Sequence, residues 1–233
     1  PHAPNPHPLW SRGLGDVYKR QKQYMAMGEQ VIGTYRDVGS SDELIKLSED
    51  SSALDILNLD VASDDSMAAF PAQLGDRPVD IFINNAGVYG PRDSSFGNVD
   101  EANWIPVLRI NALAPLLLTQ LIVENLRRGQ SKKLLYVTSK MGSIDDNKGG
   151  GSYVYRSSKA ALNAVVKSIS VDLASEEMSV AVLHPGWVRT DMGGPNGLID
   201  SQTSVSGMIE VIRNLDLGSS GGFFNYDGTV IPW

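Results

Sequence analysis

Tyr155 and Lys159 stand four residues apart in the segment YRSSK, so on a helix their side chains leave the same face one turn apart. A phenol with a pKa near ~10 is a poor acid at neutral pH. An ammonium held beside it favours the phenolate and tunes the group toward proton transfer. Upstream, Thr138 and Ser139 close the apolar run LLYVTS, placing hydroxyls at a strand end. Ser143 offers the same group at a shorter spacing from the tyrosine. Asn111 is followed four residues later by Pro115, which has no N–H to bond the Asn111 carbonyl; that carbonyl is free to hold a water, or the proline simply kinks a helix. The tetrapeptide NNAG at 84–87 combines small residues with glycine, which admits a flat ligand to the backbone and equally suits an ordinary turn. Pro185 and Gly186, with Thr190 beyond them, end a further apolar run. Three histidines, two of them within the first ten residues, and no cysteine leave no basis for a metal centre, a thiol nucleophile or a freely chosen Ser-His-Asp triad.

These groups need a scaffold, and the chain supplies short apolar runs alternating with amphipathic stretches. Strands are expected at 31–35, 53–61, 79–87, 132–139, 180–186 and 221–228. Helices are expected at about 101–127, 153–174 and 203–214, each with apolar residues at helical spacing. The fold class is α/β, a Rossmann-like doubly wound parallel sheet, with residues 22–233 as one domain. The candidate residues then collect at the carboxyl ends of the strands, where such sheets bind ligands.

Composition narrows the function classes. The 233 residues are 42% hydrophobic with a net charge of −7, which argues against a nucleic-acid surface. The most apolar stretch, 112–123, is interrupted by Pro115, Thr119 and Gln120 and is too short for a bilayer, so no membrane partner is expected. A cysteine-free chain fits a reducing cytoplasm. Residues 1–21 stand apart. PHAPNPHPLW holds four of the twelve prolines and has no periodicity, and SRGLGDVYKRQ resembles the translation of a transposase-type sequencing adapter. Residues 1–21 are therefore expected to be a disordered, non-native lead joined to coding sequence near Lys22.

NNAG, the following Asn, the strand-end Ser, YxxxK and PGxxxT occur in the order found in the short-chain dehydrogenase/reductase family, which residues 22–233 resemble. KMGSI, YRSSKAALN, HPGWVRTDMGG and the ending FFNYDGTVIPW resemble the branch that contains C-factor and sniffer-type carbonyl reductases. The resemblance implies an oxidoreductase that reduces a small-molecule carbonyl, or oxidises the alcohol, by hydride transfer. Tyr155 would be the general acid/base and Lys159 would hold the nicotinamide ribose. Ser139 (or Ser143) would bond the carbonyl oxygen, and Asn111 would hold a relay water. It places the cofactor on Arg36, Asp60, Val61, Asn85, Ala86, Gly87, Tyr155, Lys159, Pro185, Gly186, Val188 and Thr190. Tyr35 and Arg36 stand where relatives that use NAD(H) carry an acidic residue, so NADP(H) is expected; Asp37 lies one step too far. Asp60 could equally cap the next helix. A lid at roughly 192–206 and a homodimer or tetramer are implied, and so, as the alternative from the C-factor likeness, is a nucleotide-binding signalling protein that needs no turnover.

The chain departs from that family at its start. QYMAMGEQ (23–30) resembles the tail of the first helix, while the first strand and glycine-rich phosphate loop are missing. Residues 11–15, SRGLG, imitate the end of that loop without a strand before them and are not assigned to it. In the family strand order 3-2-1-4-5-6-7 this omission leaves a gap between the strands at 31–35 and 79–84. The chain as written is expected to fold poorly, to bind cofactor weakly or not at all, and to be inactive.

Overall fold

The computed structural model describes residues 14–190 and 192–233. Residues 1–13 of the expected lead lie outside the described residues. The chain begins with α1 (Leu14–Ala26) and runs on through β1 (Val31–Tyr35), α2 (Asp42–Asp50), β2 (Leu54–Asn58), α3 (Asp64–Leu74) and β3 (Ile81–Asn84). It continues with α4 (Glu101–Leu108), α5 (Ala114–Arg128), β4 (Lys133–Val137), α6 (Tyr153–Asp172), β5 (Ser179–His184), α7 (Ser201–Asn214) and β6 (Gly222–Asn225). Every strand pair is parallel. The strands nevertheless form two sheets: β1 pairs with β2, and β3-β4-β5-β6 form a second sheet in that order. Among the described residues no strand joins β1 to β3.

The four-stranded sheet is the core. Leu134, Leu135 and Tyr136 of β4 and Val180, Ala181 and Val182 of β5 have no measurable exposure, because helices cover both faces. On one face α3, α5 and α6 contribute Phe70, Leu118, Ile122, Leu126, Leu162 and Val166; on the other α7 brings Val205, Met208 and Ile212. Each large side chain buried in this way contributes about 1.5–3 kcal/mol before conformational entropy is charged against it. Side-chain caps start the helices that follow long loops: Asp100 accepts from Ala102 N and Asp200 from Thr203 N.

The expected helix at 101–127 is interrupted. Arg109–Leu113 form a π turn between α4 and α5, in which Ala114 N donates to the Arg109 carbonyl five residues back. Pro115 cannot donate to Asn111, and the helix widens at that point instead of closing an α turn. Glu101–Arg128 together are long and apolar enough to cross a membrane, with mean hydropathy 1.6, but half of that apolar window is buried within the fold. The expected helix at 203–214 begins two residues earlier, so α7 takes the second part of the expected lid segment.

The expectation of disorder up to residue 21 is corrected by α1, whose first eight residues belong to that lead. From Leu14 onward the segment has no proline and only Gly15 as a breaker, so nothing local opposes a helix. Not every polar atom that it buries is paired. Arg20 and Gln21 are buried, and among the described residues Gln21 Oε1, Gln23 Nε2 and Tyr24 Oη are enclosed without a hydrogen-bond partner. Such local conflicts are rare in evolved cores, where buried polar atoms are nearly always paired.

Candidate active site

The carboxyl ends of β3 and β4 and the first turns of α6 bring Asn111, Ser139, Tyr155 and Lys159 together. Asn111 is fully buried and grips the Val88 peptide from both sides: its Oδ1 accepts from Val88 N at 2.8 Å and its Nδ2 donates to the Val88 carbonyl at 2.8 Å. The same Nδ2 donates to Ser158 Oγ, which in turn donates to the Tyr155 carbonyl. The π turn is thus tied to α6 through side chains alone.

Ser139 Oγ accepts from Met141 N at 3.2 Å, and its hydroxyl lies close enough to the Tyr155 phenol to favour the phenolate. Residues 140–142 form a short turn packed so tightly on α6 that a Cβ on Gly142 would stand 2.9 Å from backbone atoms of Lys159. Asn163 secures this arrangement, accepting from Thr138 Oγ1 and donating to the Gly142 carbonyl. Ser143, the competing serine, is buried in a different role and accepts from Asp146 N. Of the two serines, Ser139 is the one that acts on the ionisation of the phenol.

Burial governs the ionisation of this group. The Tyr155 phenol is pushed up to about 12, chiefly because burial disfavours the phenolate; the Ser139 hydroxyl acts in the opposite direction. Burial also pushes Lys159 down to about 8. The expectation that Lys159 draws the phenol toward neutrality is not met in this conformation. The ammonium donates to the Val137 carbonyl at 3.0 Å and lies 5.9 Å from the centre of the tyrosine ring, so loss of water outweighs it.

The remaining expected residues line the strand ends. A Cβ on Gly87 would lie 3.2 Å from Lys159 Nζ and 3.3 Å from Asn111 Oδ1, so glycine keeps the backbone close above both. Ala86 is exposed and Val61 is half-buried against the cluster of Val88, Val107, Ile110 and Val154. Asn85 Oδ1 is engaged by Arg20 at 2.7 Å, a partner from the expected lead. Asp60 closes a turn ahead of α3, its Oδ1 accepting from Ala62 N. Arg36 pairs with Asp37 at 2.9 Å on the surface.

Beyond β5, Gly186 has φ +83°, and a Cβ there would stand 2.6 Å from Ile199. Pro185 is held by Ser204 Oγ at 2.6 Å. Val188 is buried and bridges Ile199. Thr190 Oγ1 accepts from Gly193 N, and Trp187 Nε1 donates to the Gly193 carbonyl, folding the loop onto itself. Asp191 lies outside the described residues. The sequence reading passed over Tyr89, whose ring stacks on Tyr155; an aromatic side chain two residues after NNAG was the available signal.

The chain was compared with known proteins. The short chain dehydrogenase family model matches residues 11–197. The C-signal of Myxococcus xanthus is 47% identical over 167 residues, covering 72% of this chain and all of that protein. The carbonyl reductase Sniffer of D. melanogaster superimposes with a TM-score of 0.85 at 31% identity, covering 97% of this chain and 96% of that one. The NADPH-bound carbonyl reductase from chicken fatty liver gives 0.84 at 31% identity, with the same coverage. With the αβ layers, the parallel strands and the motifs in register, these matches show that the chain belongs to the short-chain dehydrogenase family of oxidoreductases.

Proposed function

We propose that the protein is an NADP(H)-dependent carbonyl reductase in which Tyr155 is the proton donor. The observation that carries this reading is the convergence of Ser139, Tyr155 and Lys159 at the end of β4 and the start of α6, with the Tyr155 phenol buried beside the serine. Ser139 and Tyr155 Oη would hold the carbonyl oxygen between them as negative charge builds on it. Tyr155 would give that oxygen its proton. Lys159 would turn from the Val137 carbonyl toward the ribose, bringing its charge to the phenol edge. The Asn111 carbonyl, released by Pro115, would hold a water that returns the proton.

The nicotinamide end of the cofactor fits the residues present, since Gly87 leaves Lys159 and Asn111 close beneath the backbone and Gly186 keeps the neighbouring loop tight. The reduced nicotinamide supplies the hydride. Arg36, exposed at the end of β1, suits a 2′-phosphate. The pyrophosphate end fits less well: among the described residues no strand stands between β1 and β3, and Arg20 occupies Asn85. We therefore read residues 11–21 as a foreign segment standing in for the first strand-and-loop unit, and the chain as given as a weak binder without turnover. The substrate class is small aldehydes and ketones, and the location a cysteine-free chain fits is the cytoplasm. The half-exposed Ile105, Leu113 and Leu121 along the α4–α5 helix suit a second copy of the chain.

A second reading has one specific support, the 47% identity to the C-signal along that protein's full length. On this reading the chain binds a nucleotide as a signal and needs no turnover. One experiment separates the two: a strand and glycine-rich loop from a carbonyl reductase relative are placed before Lys22, and thermal unfolding and NADPH consumption are followed with a panel of aldehydes and ketones. A rise in midpoint with NADPH, plus turnover abolished by Tyr155→Phe, is the expected result. NADPH-dependent stabilisation with no turnover on any carbonyl would reject the enzyme and favour the signalling protein. The chain as given should show no NADPH-dependent rise.

A further inference from the structure

Tyr89 follows NNAG by two residues, and its ring lies over that of Tyr155 with centroids 4.4 Å apart and planes 24° from parallel. Stacks of this kind form readily wherever two aromatic rings are crowded together, so the question is what holds Tyr89 there. Its neighbours on both sides are pinned. The Val88 peptide is gripped through both N–H and carbonyl by Asn111, which is itself fully buried. Gly90 has φ +78°, and a Cβ there would stand 2.8 Å from Val107 and 3.3 Å from Val154, so the chain passes tightly against α4 and α6. Between two fixed points the Tyr89 backbone has no freedom to carry its ring elsewhere.

The stack lies at the candidate centre and not at a distance from it. Tyr155 is only 8% exposed, whereas Tyr89 is half-buried and its ring covers one face of the Tyr155 ring. At 4.4 Å no molecule fits between the rings. A ligand reaching the Tyr155 hydroxyl must come along its edge or from the uncovered face.

We propose that Tyr89 is a positioning residue for Tyr155: its ring, fixed by the Asn111–Val88 clamp and the Gly90 turn, sets the plane in which the phenol meets Ser139 and closes one face of it to substrate. This rests on the reading of Tyr155 as proton donor. Asn111 then acts on the tyrosine by two routes, through Ser158 to its backbone and through Val88 and Tyr89 to its ring. The groups that act on the phenol are the Ser139 hydroxyl and the Tyr89 phenol, with the Lys159 ammonium 5.9 Å from the ring centre. Tyr89 and burial both hold the phenol protonated, and Ser139 opposes them.

The test uses the full chain with its tyrosines replaced by 3-fluorotyrosine, which makes the phenols more acidic and brings their titration below the range of alkaline unfolding. The fluorine resonance of residue 155 is identified by its loss in Tyr155→Phe. Tyr89→Phe keeps the stack and should leave this resonance displaced by the ring current, while loss of the Tyr89 hydroxyl lets the acid constant rise. Tyr89→Leu fills the space without an aromatic face; the displacement should disappear and the acid constant rise about ten-fold, a shift of one pKa unit. Tyr89→Ala should do the same and more if it folds. A residue-155 resonance that keeps both position and titration in Tyr89→Leu overturns the proposal. These readouts need no turnover, so failure of the reductase reading is registered separately. In the strand-restored protein, Tyr89→Leu should lower kcat about ten-fold with KM nearly unchanged, and Tyr89→Phe should rescue it.

Discussion

Replacing Gln21 by methionine should make this protein more stable. Gln21 is 8% exposed on α1, and among the described residues its Oε1 is enclosed without a donor. Leaving a buried amide oxygen unpaired costs about 1–3 kcal/mol. Methionine has the length and flexibility of glutamine and nearly the same helix propensity, so the exchange removes the carbonyl without opening a cavity. A neighbouring constraint tempers the gain. The side chain lies close against Gly33 of β1, so the larger sulfur and methyl must shift slightly. The net expectation is a gain of about 1–2 kcal/mol, and for a chain of this size about 2–4 °C in Tm per kcal/mol. The assay is thermal unfolding by circular dichroism, with Lys22→Met as the control, because Lys22 is exposed in the same turn. That control should stay within about 0.5 kcal/mol. A Tm for Gln21→Met equal to or below that of the parent would show that α1 is packed as an evolved helix, and the reading of residues 11–21 as foreign would lose its physical support.

Gly186→Ala forces an L side chain into φ +83° and against Ile199 and Tyr226; it should cost at least about 1–2 kcal/mol, read as a lower Tm. Asn111→Ala leaves the buried Val88 N–H and carbonyl unpaired, and denaturant unfolding should register a loss of about 2–4 kcal/mol. Burial holds the His184 imidazole down to about 4, with Lys140 acting in the same direction and Asp146 against it. The unfolded chain therefore binds the extra proton between about 6.5 and 4, and stability should fall as pH is lowered through that window. His184→Leu should flatten this part of the stability–pH curve; an unchanged slope would show that the imidazole is not neutral in the fold.

The strands were the legible part of the sequence. Residues 31–35 were expected and found as β1; four of the other five runs contain their strands with ends trimmed by one to three residues, and β5 begins one residue before its run and stops two short of its end, because the flanking motif residues turn away to the site. The grouping of the candidate residues was legible in part for the same reason, since Ser139 follows β4 and Tyr155 and Lys159 share one face of α6, while Asn111 reaches them from the π turn. Three features were not. α2 and α3 carry short apolar patterns broken by Asp, Ser and Pro71, and tertiary packing completes them. The state of the phenol depends on burial, which spacing alone does not reveal. The helical start of α1 could not be read from a segment whose composition suggested no native packing.

The division of the strands into two sheets has a consequence for how the protein breathes. Backbone ladders are the most cooperative links in an α/β core, and here none runs from β1–β2 to β3–β6 among the described residues. The amino-terminal strands with α2 are joined to the rest by side-chain packing, where Ile32, Leu57 and Leu59 meet the main core, and by helices and loops. Such a unit opens at a free energy below that of global unfolding. The end of the sheet that carries Arg36 can therefore come apart while β4, β5 and α6 keep Ser139, Tyr155 and Lys159 in place.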